Sequence, residues 1–238
     1  MIYESVVAVV AACAMSFAAY RYRFLTVSGS VAALFVAVFV GVLGGLDWLL
    51  LIIVFVLAAF ITTRFRIVDK LKKGVQEGRH GERGAINVVA NSLVAVIIAI
   101  LNFSFGSEYF SILFLVAIAS ATSDTVASEV GVIDERTRLI TNLRPVPPST
   151  NGGVSPTGTI AALLSSLFIC FVGLGLMIAF GRHLDVVEVL IASLFGFAGS
   201  IIDSVLGATL ERRGIIGKQT NNFTSIALAC LFAFVLFH

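Results

Sequence analysis

Long apolar runs alternate with short polar connections from one end of this chain to the other. In windows of about 19 residues, the runs fall near positions 2–20, 27–46, 48–63, 86–102, 109–127, 158–180, 186–207 and 223–237. They predict an all-α, polytopic integral membrane protein of eight transmembrane helices, with 1–238 as a single transmembrane domain. Only Gly44-Gly45-Leu46-Asp47 parts the second run from the third. The third is short against a hydrocarbon core that takes roughly 20 residues of helix, so a count of seven stays open. No basic region precedes the first run and no small-residue cleavage signature precedes Arg21-Tyr22-Arg23, so that run reads as a retained helix.

Composition agrees with this reading. The chain is 58% hydrophobic and 13% charged, whereas soluble domains carry about 25% charged residues. Cys13, Cys170 and Cys230 all fall inside apolar runs without CxxC spacing, which predicts packing roles and neither a disulfide framework nor a zinc site. Charge placement adds an orientation. Of the 16 Lys and Arg residues, all but Arg182 lie in the odd-numbered connections. The positive-inside rule puts those connections in the cytoplasm and both termini on the other side. Topology alone would produce that bias, but the polar clusters ERGAINVVAN, SDTVASEVG, STNGGVSPTG, DSVLGATLERR and TNNFTS occupy or border the same connections. The cytoplasmic loops at about 64–85, 130–157 and 211–222 are therefore expected to carry the site.

Two of these clusters bring carboxylates into apolar runs, where an ionisable side chain is costly and marks a candidate functional site. In the seventh run Gly196, Gly199, Ser200, Asp203, Ser204 and Gly207 share one helical face. A tight small-residue packing seam accounts for the Gly and Ser but leaves the acid unexplained. In the fifth run Ser120, Ser123, Asp124, Ala127, Ser128 and Gly131 form a similar stripe. Glu129 lies roughly 140° around the helix from Asp124 at ~100° per residue, so it suits either a loosened helix or a pairing with a cytoplasmic Arg. Asn87 and Asn91, one turn apart, suit interhelical hydrogen bonding or ligand contact.

Converging carboxylates, amides and arginines without His or Cys favour magnesium, usually held by one or two carboxylates plus substrate phosphates. Gly152 and Gly153 let backbone N–H groups approach an anion ahead of a helix that starts near Thr157-Gly158. An ordinary Pro/Gly-rich connection would look similar. Gly153 and Gly158 have P-loop spacing, but Thr159 stands where the Lys must be. Of the three histidines only His80 is on the predicted cytoplasmic side, in a charged loop that suits solvated surface, which disfavours a Ser-His hydrolase. Phosphoryl transfer onto a phosphate needs no such base, because the acceptor is already anionic.

The ordered motifs EGRHGERGAINVVAN, ATSDTVASEVG, STNGGVSPTGT, GSIIDSVLGATLERR and TNNFTS resemble those of the integral-membrane family related to transmembrane protein 19 (domain of unknown function 92), which includes the phytyl phosphate kinase of tocopherol synthesis. That family is distantly similar to CTP-dependent dolichol and phytol kinases and to CDP-lipid synthases. The resemblance implies a membrane kinase that moves a phosphoryl group from CTP, or another nucleoside triphosphate, to an isoprenyl monophosphate. It implies Mg2+ at Asp124 and Asp203, with Glu129 as a further ligand, and the nucleotide phosphates in the loop of Asn151, Gly152, Gly153 and Ser155. Arg83 and Lys218 would neutralise the transferring group, and Asn87, Asn91, Ser128, Ser204 and Asn222 complete the matched positions. Two positions depart from the family pattern: Ser149 stands where Gly is expected before Thr150, and Glu211 where Gln is expected.

The expected partners are an isoprenyl monophosphate lipid, a nucleoside triphosphate and the bilayer, without nucleic acid and with homodimerisation left open. The expected location is the cell (inner) membrane, as a multi-pass protein. Two other functions use the same features: a CDP-lipid synthase, which would release pyrophosphate, and a carrier for a phosphorylated or acidic solute, suggested by the faint repeat of Asp124-Thr125-Val126 in Asp203-Ser204-Val205. Both acids lie near the cytoplasmic ends of their runs and not at the midplane, which favours an enzyme.

Overall fold

The structure, a computed structural model, describes residues 2–76 and 81–237. Eight long helices follow the apolar runs: α1 Ile2–Arg21, α2 Val27–Leu43, α3 Leu46–Arg64, α5 Ala85–Phe105, α6 Tyr109–Gly131, α7 Pro156–Ala179, α8 Val186–Leu206 and α9 Lys218–Phe237. Seven of them are long and apolar enough to cross a membrane. The helix that falls short is α2, at 17 residues, and not the third run, which begins two residues earlier than hydropathy indicates and reaches 19 residues. Arg79 and His80 lie outside the described residues.

Four elements were not legible in the hydropathy. A seven-residue helix, α4 (Ile67–Lys73), follows α3. A π-helical turn, Gly207–Glu211, extends α8. Strands β1 (Arg138–Leu139) and β2 (Gly153–Val154) pair antiparallel and tie the long connection between α6 and α7 back on itself.

The bundle is built around α6, which packs against α3, α5, α7, α8 and α9. Its spanning window is 83% buried, while the other spans reach 39% at most. The stretch from Ile112 to Ala119 is apolar on every side, which suits that central place. Small residues bring the partners close: a Cβ at Gly196 would run into Ala119 and Ser166, and one at Gly199 into Ser120. The packing seam expected from the Gly/Ser stripe is thus real, and on α8 it lies deeper in the bundle than Asp203. At the end away from the basic connections, Arg182 pairs with buried Asp47 at 2.6 Å, bonds the Gly44 carbonyl and the Ser111 hydroxyl, and stacks on Trp48.

Candidate functional site

Where α6, α8 and α9 reach the basic end of the bundle, their polar residues surround a cleft of about 200 Å³. Asp124 and Ser128 come from α6, Asp203 and Ser204 from α8, and Lys218 and Asn222 from α9. Asn151, Gly152, Gly153 and Ser155 close it from the connection before α7. Asp124, Asp203, Glu211 and Lys218 thus share the lining of one cleft. Asp203 Oδ1 accepts from the Ser225 hydroxyl at 3.3 Å, and its carbonyl accepts from Asn221 Nδ2 at 3.1 Å. The stripe on α8 therefore divides by depth, with Gly196 and Gly199 serving packing and Asp203, Ser204 and Gly207 facing the cleft.

The Asn151–Gly153 loop is seated on the π-helical turn. Gly152 has φ +75 and lies so close to Ala208 that a Cβ would collide with its backbone, and a Cβ at Gly207 would stand 2.9 Å from the Gly152 nitrogen. Glu211, at the end of the turn, accepts from Asn151 Nδ2 at 2.8 Å and from Asn221 Nδ2 at 3.2 Å. It thereby fastens the loop and the start of α9 to one carboxylate. Turns of π type recur at functional sites because they re-aim side chains. Ser155 is the N-cap of α7: its Oγ accepts from Gly158 N at 3.2 Å, and it contacts the Gly131 carbonyl at 3.3 Å. Asp134 adds a second tie at that helix end, accepting from Thr157 Oγ1 at 2.9 Å and from Arg136. The Arg136 side chain and backbone, with Thr157 after them, hold the Asp134 carboxyl well below the usual carboxylate range.

Glu129 corrects an expectation. It borders the cleft, but Oε2 accepts from Lys70 Nζ at 2.7 Å, and Oε1 accepts from Thr63 at 2.8 Å and from Arg83 at 3.1 Å. Lys70 is fully buried. Both carboxylate oxygens are thus committed to an ion-pair network that pins α4 and Arg83 onto α6, the Arg pairing that the helical angle allowed. Among the described residues no three of His, Cys, Asp and Glu come together as a metal site, so a cluster of Asp124, Asp203 and Glu129 is not formed. Arg83, Asn87 and Asn91 line a separate apolar slot beside the cleft, between α1, α2, α3, α5 and α6. The slot adjoins the cleft at Asn91, whose Oδ1 accepts from Asn222 Nδ2 at 3.4 Å.

Sequence reasoning overlooked Lys70, Thr63, Glu211 and Asn221 as part of this region. Asn221 lies inside the TNNFTS cluster and was legible as polar. Glu211 registered only as a departure from pattern, and Lys70 could be found only through the unpredicted α4.

A central carboxylate-bearing helix, with the polar residues of its neighbours gathered at one end of the bundle, defines a multi-pass membrane protein with a polar site at one membrane edge. The chain belongs to the integral membrane protein family DUF92, whose model matches residues 10–229. An uncharacterized membrane protein of Methanocaldococcus jannaschii, MJ0933, is 34% identical over 179 residues, covering 75% of this chain and 71% of its own. In Arabidopsis thaliana, Protein PGR is 29% identical over 91% of this chain and 84% of its own. Protein VTE6, chloroplastic, of the same plant is 29% identical over 89% of this chain and 66% of its own. No solved structure matches the chain at a significant level.

Proposed function

We propose that this protein is a CTP-dependent isoprenyl phosphate kinase working at the cytoplasmic edge of the membrane. The observation that carries the reading is the joining of two compartments: a cleft with two aspartates, a glycine loop and Lys218, and beside it an apolar slot headed by Arg83. The motif order shared with the family that includes phytyl phosphate kinase supports the same activity, and the similarity to Protein VTE6 agrees with it.

In this reading an oxygen of the lipid monophosphate attacks the γ-phosphorus of CTP. The bond from that phosphorus to the β-phosphate bridging oxygen breaks, and CDP and the isoprenyl diphosphate result. The attacking oxygen is already an anion, so no base has to remove a proton, and catalysis rests on alignment and charge. Asp124 and Asp203 are hard oxygen donors on one cleft and fit magnesium, which two carboxylates and substrate phosphates suffice to hold. The ion would supply charge neutralisation at the phosphates. The Asn151–Gly153 loop lines the cleft beside the aspartates, where the phosphates would lie, and Lys218 offers the cation.

Incubation with CTP and an isoprenyl monophosphate, followed by analysis of both products, tests the reading. A kinase yields CDP and a lipid diphosphate. A cytidylyltransferase would release pyrophosphate and leave CMP on the lipid, which would overturn the proposal.

A further inference from the structure

Building on that reading, we infer that the apolar slot is the acceptor's chain-binding site, and that Arg83, Asn87 and Asn91 at its mouth receive the acceptor's phosphate. The ligand is thus an isoprenyl phosphate whose hydrocarbon lies inside the bundle while its head meets the nucleotide at the Asn91–Asn222 junction.

The mouth is built in advance of any ligand. Arg83 N donates to the Phe24 carbonyl at 3.0 Å, and the Arg83 carbonyl accepts from Thr26 N at 3.1 Å, so the α1–α2 turn fixes its backbone. Its guanidinium stacks over Phe24, 5.2 Å from the ring centroid. Among the described residues it bonds through Nη2 alone, to Glu129 and Thr63. Nε and Nη1 keep donors for an anion, and a guanidinium with fixed orientation suits a phosphate. Asn87 and Asn91 stand next to it on α5, with Asn91 Nδ2 donating to the Asn87 carbonyl at 2.9 Å.

Below this polar mouth the lining turns apolar: Ala33 and Val36 on α2, Ile52, Phe55 and Ala59 on α3, and Met15 on α1. Ile52 is twelve residues from the end of α3 (64 − 52), so the slot runs about 18 Å from the basic end at ~1.5 Å per residue. Its free space is about 60 Å³, and a chain enters by displacing the half-buried Met15 and Phe55, of which Met is the more adaptable. On α6 the adjacent residues Asp124 and Thr125 face the two compartments, the first the cleft and the second the slot. That helix places the acceptor's head beside the aspartates.

Two measurements test the site. Purified wild-type protein is photolabelled with an isoprenyl phosphate carrying a diazirine on its terminal unit, and labelled peptides are mapped by mass spectrometry. Label on α2 and α3 around Val36 and Ile52 is expected; label confined to α7, α8 or α9 would overturn the inference. Val36→Phe, at a half-buried position near the deep end, should raise KM for a long-chain acceptor at least tenfold while leaving KM for CTP and for a short-chain isoprenyl phosphate unchanged. The same change in KM for long and short acceptors, or no change for either, would also overturn it. If labelling maps to the slot but no nucleotide supports transfer, the kinase reading fails and the chain site stands. Transfer with label elsewhere sinks the slot alone.

Discussion

Asn222 on α9 donates through Nδ2 to Asn91 Oδ1 on α5 across 3.4 Å, and this bond joins the wall of the polar cleft to the mouth of the apolar slot. Neither amide is adjacent to an acid in sequence. Their meeting relates the two halves of the site, so its loss should act on alignment more than on binding.

Asn222→Ala is accordingly expected to lower kcat by about a hundredfold, the scale of a 1 Å misplacement, with KM for CTP within about twofold of wild type. Steady-state kinetics with both substrates varied checks this. A rise in the CTP KM with kcat intact would instead make Asn222 a nucleotide contact.

The network at Glu129 predicts an order of stabilities. Glu129→Gln leaves Lys70 and Arg83 without their shared carboxylate, and breaking a buried ion pair costs about 3–5 kcal/mol. Lys70→Met leaves Glu129 its bond to Arg83, so it should cost less. Thermal unfolding in detergent should rank wild type above Lys70→Met and Lys70→Met above Glu129→Gln. A metal-ligand role for Glu129 predicts instead unchanged stability and a shifted magnesium dependence.

Ser149 has φ 69, a left-handed conformation that strains a residue with a Cβ by roughly 1–2 kcal/mol. This gives a physical reason for the Gly that the family resemblance leads us to expect there. Ser149→Gly should raise stability by about 1 kcal/mol or less, because the freer backbone of Gly offsets part of the relief, and should leave activity intact. Unfolding curves and the transfer assay read the two effects.

Asp134 ties the α6–α7 connection to the start of α7 with its carboxyl held below the usual range. A depressed folded value gives stability that is present above the unfolded carboxylate value, about 3.9, and is lost as pH falls through the folded one. Asp134→Asn should therefore unfold earlier than wild type at neutral pH, with the gap closing below about pH 4. A gap independent of pH would assign Asp134 a packing role only.

Much of this architecture was readable from hydropathy because a transmembrane helix announces itself in one-dimensional apolar length. The eight runs coincide with α1–α3 and α5–α9 to within a few residues, apart from α9, which starts at Lys218 because its first turn is polar. What escaped has a common cause. α4 is short and carries Asp69, Lys70, Lys72 and Lys73, so no apolar window detects it, yet it supplies the buried Lys70. The π-helical turn has no periodicity to distinguish it from the end of α8, yet it seats the glycine loop and aims Glu211. The cleft residues Asp124 and Asp203 were legible as misplaced charge. The position of Arg83 in a second compartment depends on long-range backbone pairing with Phe24 and Thr26, which local pattern does not encode.

The central claim is tested most directly by transfer of label from γ-labelled CTP into the lipid phase, with magnesium and an isoprenyl monophosphate, by wild type and by Asp203→Asn. The account predicts labelled isoprenyl diphosphate from wild type and at least a hundredfold less from Asp203→Asn, at equal thermal stability. No lipid label from folded wild-type protein with any nucleotide, or undiminished transfer by Asp203→Asn, would contradict it.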